Sequence, residues 1–216
     1  LSLTLIVMAG LLVLSLLRLG DIRLGFDPRG LVTASVSTPA GTAPKADMMD
    51  VAAGLPADQV ALATVAPFGA TAIRSIFVPG STFEPEPFEG ARYSYVSPNF
   101  FTVMGTRLLE GRSLSTADTA GSDPVVVINE TMKRNYWGAS LPPGACIVIE
   151  GCARVIGVVE DIRDTPGASA PMRYYLPLAQ AGTPASVLVV RTEPAAVPAV
   201  TAHVRKAVPP GERLLF

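Results

Sequence analysis

The sequence predicts an α+β chain, in which an N-terminal transmembrane helix is followed by a two-lobed domain. One lobe is a split β-α-β layer and the other is an inserted mixed α/β lobe. Three observations predict this. The first 17 residues carry no charged side chain. Short β-branched runs such as Val125–Ile128 and Val155–Val159 alternate with short amphipathic stretches. Strand–helix–strand patterns near both ends, 31–66 and 185–216, bracket a turn-rich middle from 67 to 184.

Leu1 to Leu17 reads LSLTLIVMAGLLVLSLL. At about 1.5 Å per residue it spans roughly 26 Å, close to a hydrocarbon core of about 30 Å. A membrane helix is expected over 1–19, a connector over 20–30 and the domain over 31–216. A signal peptide would need a basic start and a small-residue cleavage site, and Leu17-Arg18-Leu19-Gly20 is not one. Arg18 and Arg23 do not fix the helix orientation without the preceding flank. The chain lacks a starting Met and stops at Leu214-Leu215-Phe216 within an expected strand, so it reads as a C-terminally truncated piece of a longer protein.

The elements follow in order. Gly25-Phe26-Asp27-Pro28 is a turn, and Leu31–Ser37 is a strand. Ala46 to Gly54 is expected to be helical, with Met49, Ala52 and Ala53 facing inward, and Gln59–Ala66 is the next strand. Pro67 to Gly90 is strand-poor. Strand Tyr93–Val96 leads into a helix over Pro98–Met104. Ser97 is placed as its N-cap, Pro98 at its first position and Gly105 as its left-handed stop. Val96 and Phe101 have the spacing of a hydrophobic staple. Arg107–Arg112 is extended, with a turn at Glu110-Gly111. Val125–Ile128 reads as a strand covered on both faces. Asn129 caps helix Glu130–Trp137, and Gly138 ends it. Gly157 inside strand Val155–Val159 marks a bulge or close backbone approach. Arg173–Leu176 and Ser186–Val190 are strands. Helix Pro198–Val208 aligns Val200, Val204 and Val208, and Leu214–Phe216 starts another strand.

The chemistry is sparse. The net charge of −1 lacks the basic face that nucleic acid requires. With 2 Cys and 1 His, a zinc site lacks ligands, and C-I-V-I-E-G-C is not a CxxC redox motif. A turn at Glu150-Gly151 lets Cys146 and Cys152 flank a hairpin tip. They read either as a disulfide or as two reduced, half-buried thiols. The bond would stabilise by about 2.4 kcal/mol on the loop-entropy formula and would require an oxidising compartment. A strict two-residue turn would set Cys152 opposite Ile149, so the bond needs a wider loop. His203 has no nucleophile or orienting partner. Glu84, Glu86 and Glu89 alternate with prolines and read as a solvated loop. Lys45, Lys133 and Lys206 lack the glycines of a P-loop, so this piece hydrolyses no ATP. Phe100, Phe101, Tyr136 and Trp137 read as core. No cofactor, no metal and no catalytic residue is expected, and the chain is not expected to be an enzyme.

YVSPNFFTVMGTRLLEGRSLSTAD, VVVINETMKRNYWG and RVIGVVEDIR resemble the MacB-like periplasmic core domain of FtsX-type ABC transporter permeases. That pattern is a VSP box, a GR, an N-E, an aromatic–Trp pair and a VVGVV-x-D-x-R. The residues carrying it are Ser97, Pro98, Gly105, Gly111, Arg112, Asn129, Trp137 and Gly157. Leu114 stands where the family usually has Phe. LGFDPRGLV, YYLPLAQ and the late VRT extend the resemblance over most of the chain. It implies a porter-like lobe with an inserted lobe. It also implies a cell-membrane protein whose residues after about 20 are extracytoplasmic. The implied role is non-catalytic: ATP hydrolysis by a cytoplasmic ABC ATPase subunit is coupled to movement in the envelope, for efflux or for lipoprotein or peptide handling. The implied partners are that ATPase, a second permease copy or duplicated half, and envelope proteins. GLLVLSLLRL…GFDP resembles the later of two such domains in duplicated, ATPase-less permeases. The alternative is a membrane-anchored binding or scaffold module with no ATPase partner.

Overall fold

The computed structural model describes residues 4–12, 24–37, 47–68, 72–83, 90–163, 168–209 and 212–216. Residues 4–12 are helical, and Leu5, Ile6, Val7, Met8, Leu11 and Leu12 on that stretch are exposed. Among the described residues no helix is long and apolar enough to cross a membrane. The remainder of the expected span, Lys45, and Glu84, Glu86 and Glu89 lie outside the described residues.

Among the described residues after 12, eleven strands form one sheet with four short α-helices. In chain order these are β1 (Leu31–Ser37), α1 (Met48–Ala52), β2 (Val60–Ala63), β3 (Ala72–Arg74), β4 (Ala91–Val96), α2 (Phe100–Met104), β5 (Leu108–Gly111) and β6 (Val125–Asn129). Then come α3 (Glu130–Trp137), β7 (Cys146–Val148), β8 (Cys152–Val159), β9 (Arg173–Pro177), β10 (Val187–Arg191), α4 (Val197–Ala207) and β11 (Arg213–Leu215). The order across the sheet is β11-β1-β10-β2-β4-β9-β6-β8-β5, with β3 on β4 and β7 on β8. β10 runs antiparallel to both β1 and β2 and lies between them, so β1 and β2 are parallel. β4 pairs with β9, and β6 with β8, in parallel. β2 meets β4 in register only at Ala63 and Val96, so the sheet is narrowest there.

Three apolar clusters fill the fold. One lies beneath α1 and α4, from Met48, Val51, Leu188, Val200 and Val204. A second lies beneath α3, from Ile128, Met132, Ile147, Val158 and Tyr174. The third joins them at the narrow part of the sheet, through Ala63, Val96, Phe100, Phe101, Met104, Val127, Tyr175 and Val189. β6 is buried at every position, as its unbroken β-branched run requires.

Several expectations are corrected. Ser97 is not the N-cap, and Pro98 is not helical: α2 begins at Phe100 with Asn99 at its cap. Ser97 instead extends the β2–β4 pairing. Its N–H donates to the Leu62 carbonyl, and its Oγ accepts from the Leu62 N–H. Its hydroxyl also donates to Asn99 Oδ1 at 2.8 Å. The Ser97 hydroxyl is engaged by β2 and Asn99 rather than by an N–H of the first turn of α2. α1 is shorter than expected, capped by the Asp47 carboxylate at the Met49 N–H. Its inward residues are Met48 and Val51, with Ala52 partly buried against the same cluster as expected, while Met49 and Ala53 are exposed. The cap shifts the helical phase by one residue, which moves Met49 to the outer face. β2 ends at Ala63 rather than Ala66, and β3 adds a strand to the passage read as strand-poor.

Candidate functional site

The short segment that enters the domain, 24–30, is held from several parts of the fold. Gly25 is buried at φ 76°, and a Cβ there would stand 1.8 Å from the Asp161 carbonyl oxygen. Only glycine fits so close an approach in that conformation. The Arg163 N–H donates to the Leu24 carbonyl at 3.0 Å, and the Asp27 N–H to the Met104 carbonyl at 3.0 Å. The Phe26 ring lies 4.6 Å from that of Phe68.

Arg191, at the end of β10, gathers the segment from the other side. Its Nε donates to the Val103 carbonyl at 2.6 Å. Its two terminal nitrogens donate to the carbonyls of Arg29 at 2.8 Å and Asp27 at 3.0 Å. The guanidinium fork is thereby spent on backbone at the C-terminal end of α2 and on the entry turn, where it complements the helix dipole. Arg29 holds the Asp27 carboxyl below the usual carboxylate range through side-chain and backbone hydrogen bonds.

Behind Gly25 lies a buried polar network. The Asp161 carboxylate accepts from Asn129 Nδ2 at 2.6 Å, the Thr131 N–H at 2.9 Å and the Thr131 hydroxyl at 2.7 Å. Asn129 also donates to the Pro171 carbonyl, and its Oδ1 accepts from the N–H groups of Met132 and Arg173. One side chain therefore caps α3, ties it to β9 and holds the carboxylate whose own backbone touches the entry segment.

Gly105, Gly111, Arg112, Asn129 and Gly157 all take part in close approaches. Gly105, in the left-handed conformation, ends α2 against Asp27 and Arg191. A Cβ at Gly111 would meet the Ile156 carbonyl at 2.2 Å, and one at Gly157 the Arg112 carbonyl at 2.2 Å. The β6–β8 register shifts at this point. Arg112 forks onto Asp118 at 2.9 and 2.7 Å. Trp137 is half-buried, 5.8 Å from Tyr136, away from the entry segment. His203 Nε2 lies 3.2 Å from the Val51 carbonyl, between α4 and α1. Among the described residues no three His, Cys, Asp or Glu side chains are placed to hold a metal. Reasoning on the sequence missed Asp161, Asp118 and Arg191. All three lie inside quoted motifs, Asp161 in RVIGVVEDIR, Asp118 at the end of YVSPNFFTVMGTRLLEGRSLSTAD and Arg191 in VRT, while the long-range partners of Arg191 leave no local signal.

Asp118 titrates at about 2, chiefly because the Arg112 guanidinium and the Ser115 N–H and hydroxyl bond its ionised form. A depressed folded-state value contributes stability that is present above about pH 4 and is lost as pH falls toward 2. Arg112 is half exposed, so the effect stays near 1 kcal/mol after screening. Urea midpoints for wild type and Asp118→Asn are expected to differ at pH 6 and to converge by about pH 2.

Cys146 and Cys152 are bridged, with Cα atoms 5.6 Å apart. Cys146 sits opposite Arg154 and Val148 opposite Cys152, so 149–151 forms the tip. Replacing both cysteines by serine is expected to lower stability by about 2 kcal/mol, read by urea unfolding under non-reducing conditions.

A family profile described as the MacB-like periplasmic core domain matches residues 2–207. The chain is 33% identical over 88 residues to the macrolide export ATP-binding/permease protein MacB 1/2 of Paracoccus denitrificans (strain Pd 1222), covering 40% of this chain and 13% of that one. It thus spans a small part of that relative's length. Its fold resembles the periplasmic region of MacB from Actinobacillus actinomycetemcomitans, with TM-score 0.62 and 18% identity over 88% of this chain and 90% of that one. It also resembles the extracellular domain of the noncanonic ABC-type transporter YknZ from Gram-positive bacteria, with TM-score 0.58 and 13% identity over 86% and 100% of the two chains. These structures share its mixed α/β sheet.

Proposed function

Because the chain belongs to the family of MacB-like periplasmic core domains, we propose that it is the extracytoplasmic domain of an ABC transporter permease subunit. The apolar helical stretch at 4–12 belongs, in this reading, to a transmembrane helix over 1–19 in the cell membrane, and residues after about 20 lie outside. The layers 31–66 plus 185–216 and 67–184 act as two lobes. A cytoplasmic ABC ATPase supplies the energy, and a second permease copy or duplicated half completes the assembly. The role is non-catalytic: helix movement is passed outward to envelope partners during efflux or lipoprotein or peptide handling.

One observation carries this reading. The entry segment is bonded both to Asp161–Arg163, beyond β8, and to α2 and Arg191. In this reading a displacement of the preceding helix reaches the entry segment and, through these bonds, both sides of the domain at once. The test is affinity purification of the full-length protein from solubilised membranes. An ABC ATPase is expected to co-purify and to hydrolyse ATP in the eluate. Recovery of well-folded protein without any ATPase would remove the energy source and overturn the reading in favour of an anchored scaffold.

A further inference from the structure

A cleft of about 430 Å³ opens beside the 149–151 hairpin tip, beyond the part of the sheet that α3 covers. Its floor comes from strand residues on one face: Tyr95 of β4, Leu176 of β9 and Ala153 of β8. Leu176 and Ala153 are buried and Tyr95 is half-buried. The size falls within the range of small-molecule sites.

Both walls are built. One is the tip Ile149-Glu150-Gly151, closed at its base by the Cys146–Cys152 bridge. The other is the loop through Ala120, Ser122 and Pro124. Gln180 fixes that loop by donating from Nε2 to the Thr119 carbonyl at 3.0 Å and to Ser122 Oγ at 3.2 Å.

The charge of the cleft is one-sided. Glu150 is the one ionisable carboxylate in the lining, and no Lys, Arg or His lines it among the described residues. Glu150 stands near enough to Tyr95 to act on its phenol electrostatically. Arg74 acts on the Tyr95 phenol more strongly than Glu150 does, but it does not line the cleft, and its guanidinium lies over the neighbouring Tyr93 ring at 4.9 Å. An apolar floor, an aromatic ring and a single carboxylate as the one charged group in the lining suit an ammonium group with an apolar body, by cation–π and ionic attraction together. We propose that this cleft binds a small apolar ammonium compound, with the cation between Glu150 and the Tyr95 ring and the apolar body on Leu176 and Ala153.

The site requires neither nucleotide nor an ATPase partner, so its failure and that of the transport reading are distinguishable. The probe is benzyltrimethylammonium, followed by ligand-observed saturation-transfer NMR on the full-length protein in zwitterionic lipid nanodiscs, with empty nanodiscs subtracted. Saturable binding is expected, weakened about tenfold by Glu150→Gln, which lies on an exposed tip, and left unchanged by Glu193→Gln. Benzyl alcohol, lacking the cation, is expected to bind at least tenfold more weakly. No saturable binding, equal binding of the neutral compound, or wild-type affinity in Glu150→Gln overturns the proposal.

Discussion

Replacing Asn129 with alanine is expected to lower the unfolding free energy by about 4 kcal/mol, at the upper end for a single substitution. Asn129 is fully buried, and its amide serves four partners: Asp161 and the Pro171 carbonyl as donor, and the Met132 and Arg173 N–H groups as acceptor. Alanine removes the α3 cap and strands groups that water cannot reach. Asn129→Asp separates the terms. It keeps an acceptor for the two N–H groups but sets a second carboxylate against Asp161. Two like charges in one buried site raise the folded-state proton affinity, so the pair takes up a proton on folding. The sign is then opposite to that of Asp118. The Asn129→Asp protein is expected to be least stable relative to wild type near neutrality and to recover as pH falls toward 5. Chemical denaturation of the three proteins at pH 7 and pH 5 checks both points. A pH-independent deficit in Asn129→Asp would refute the charge argument.

Gly25→Ala is the second large expectation. The added Cβ would lie 1.8 Å from a backbone oxygen, and φ is 76°. Neither the neighbour nor the conformation can yield cheaply, so the entry segment must leave its place. A loss of about 3 kcal/mol is expected, read by thermal unfolding. In the full-length transporter proposed above, the variant is expected to retain ATP hydrolysis by the partner and to lose transport. Gly10→Ala, where nothing lies within 4 Å, serves as the neutral comparison. If Gly25→Ala behaves like Gly10→Ala, the entry segment is not the coupling element.

What could be read from the residues alone follows from the range of each interaction. Asn129 was legible as a cap because its Met132 partner is three residues away. The unbroken run before it announced a buried strand. Ser97-Pro98 misled for the same reason: the local grammar of a helix start was present, but a strand 35 residues distant took the Ser97 hydroxyl. Met49 misled because a cap at Asp47 sets the helical phase, and that choice depends on tertiary fit. Arg191 was marked in VRT but its role was illegible, since its acceptors lie 88 to 164 residues earlier in the chain. A carbonyl carries no side-chain signature. The cleft beside the hairpin tip was equally hidden, because its floor draws on three strands that the sequence separates widely.

The place of β10 between β1 and β2 sets a timetable for synthesis. Among the described residues β1 pairs only with β10 and β11, and both come from the last part of the chain. Until residues 187–191 emerge, β1 and one edge of β2 have no strand to pair with. The middle strands meet no such delay, because β6, β8 and β9 pair among themselves earlier. The nascent chain thus carries bare apolar strand edges through most of its elongation, a state prone to mispairing. Closing such distant pairs is also slow. A holding chaperone on the outer side of the membrane would find its natural target in β1, and truncations ending before Val187 should aggregate while those reaching Leu215 should not.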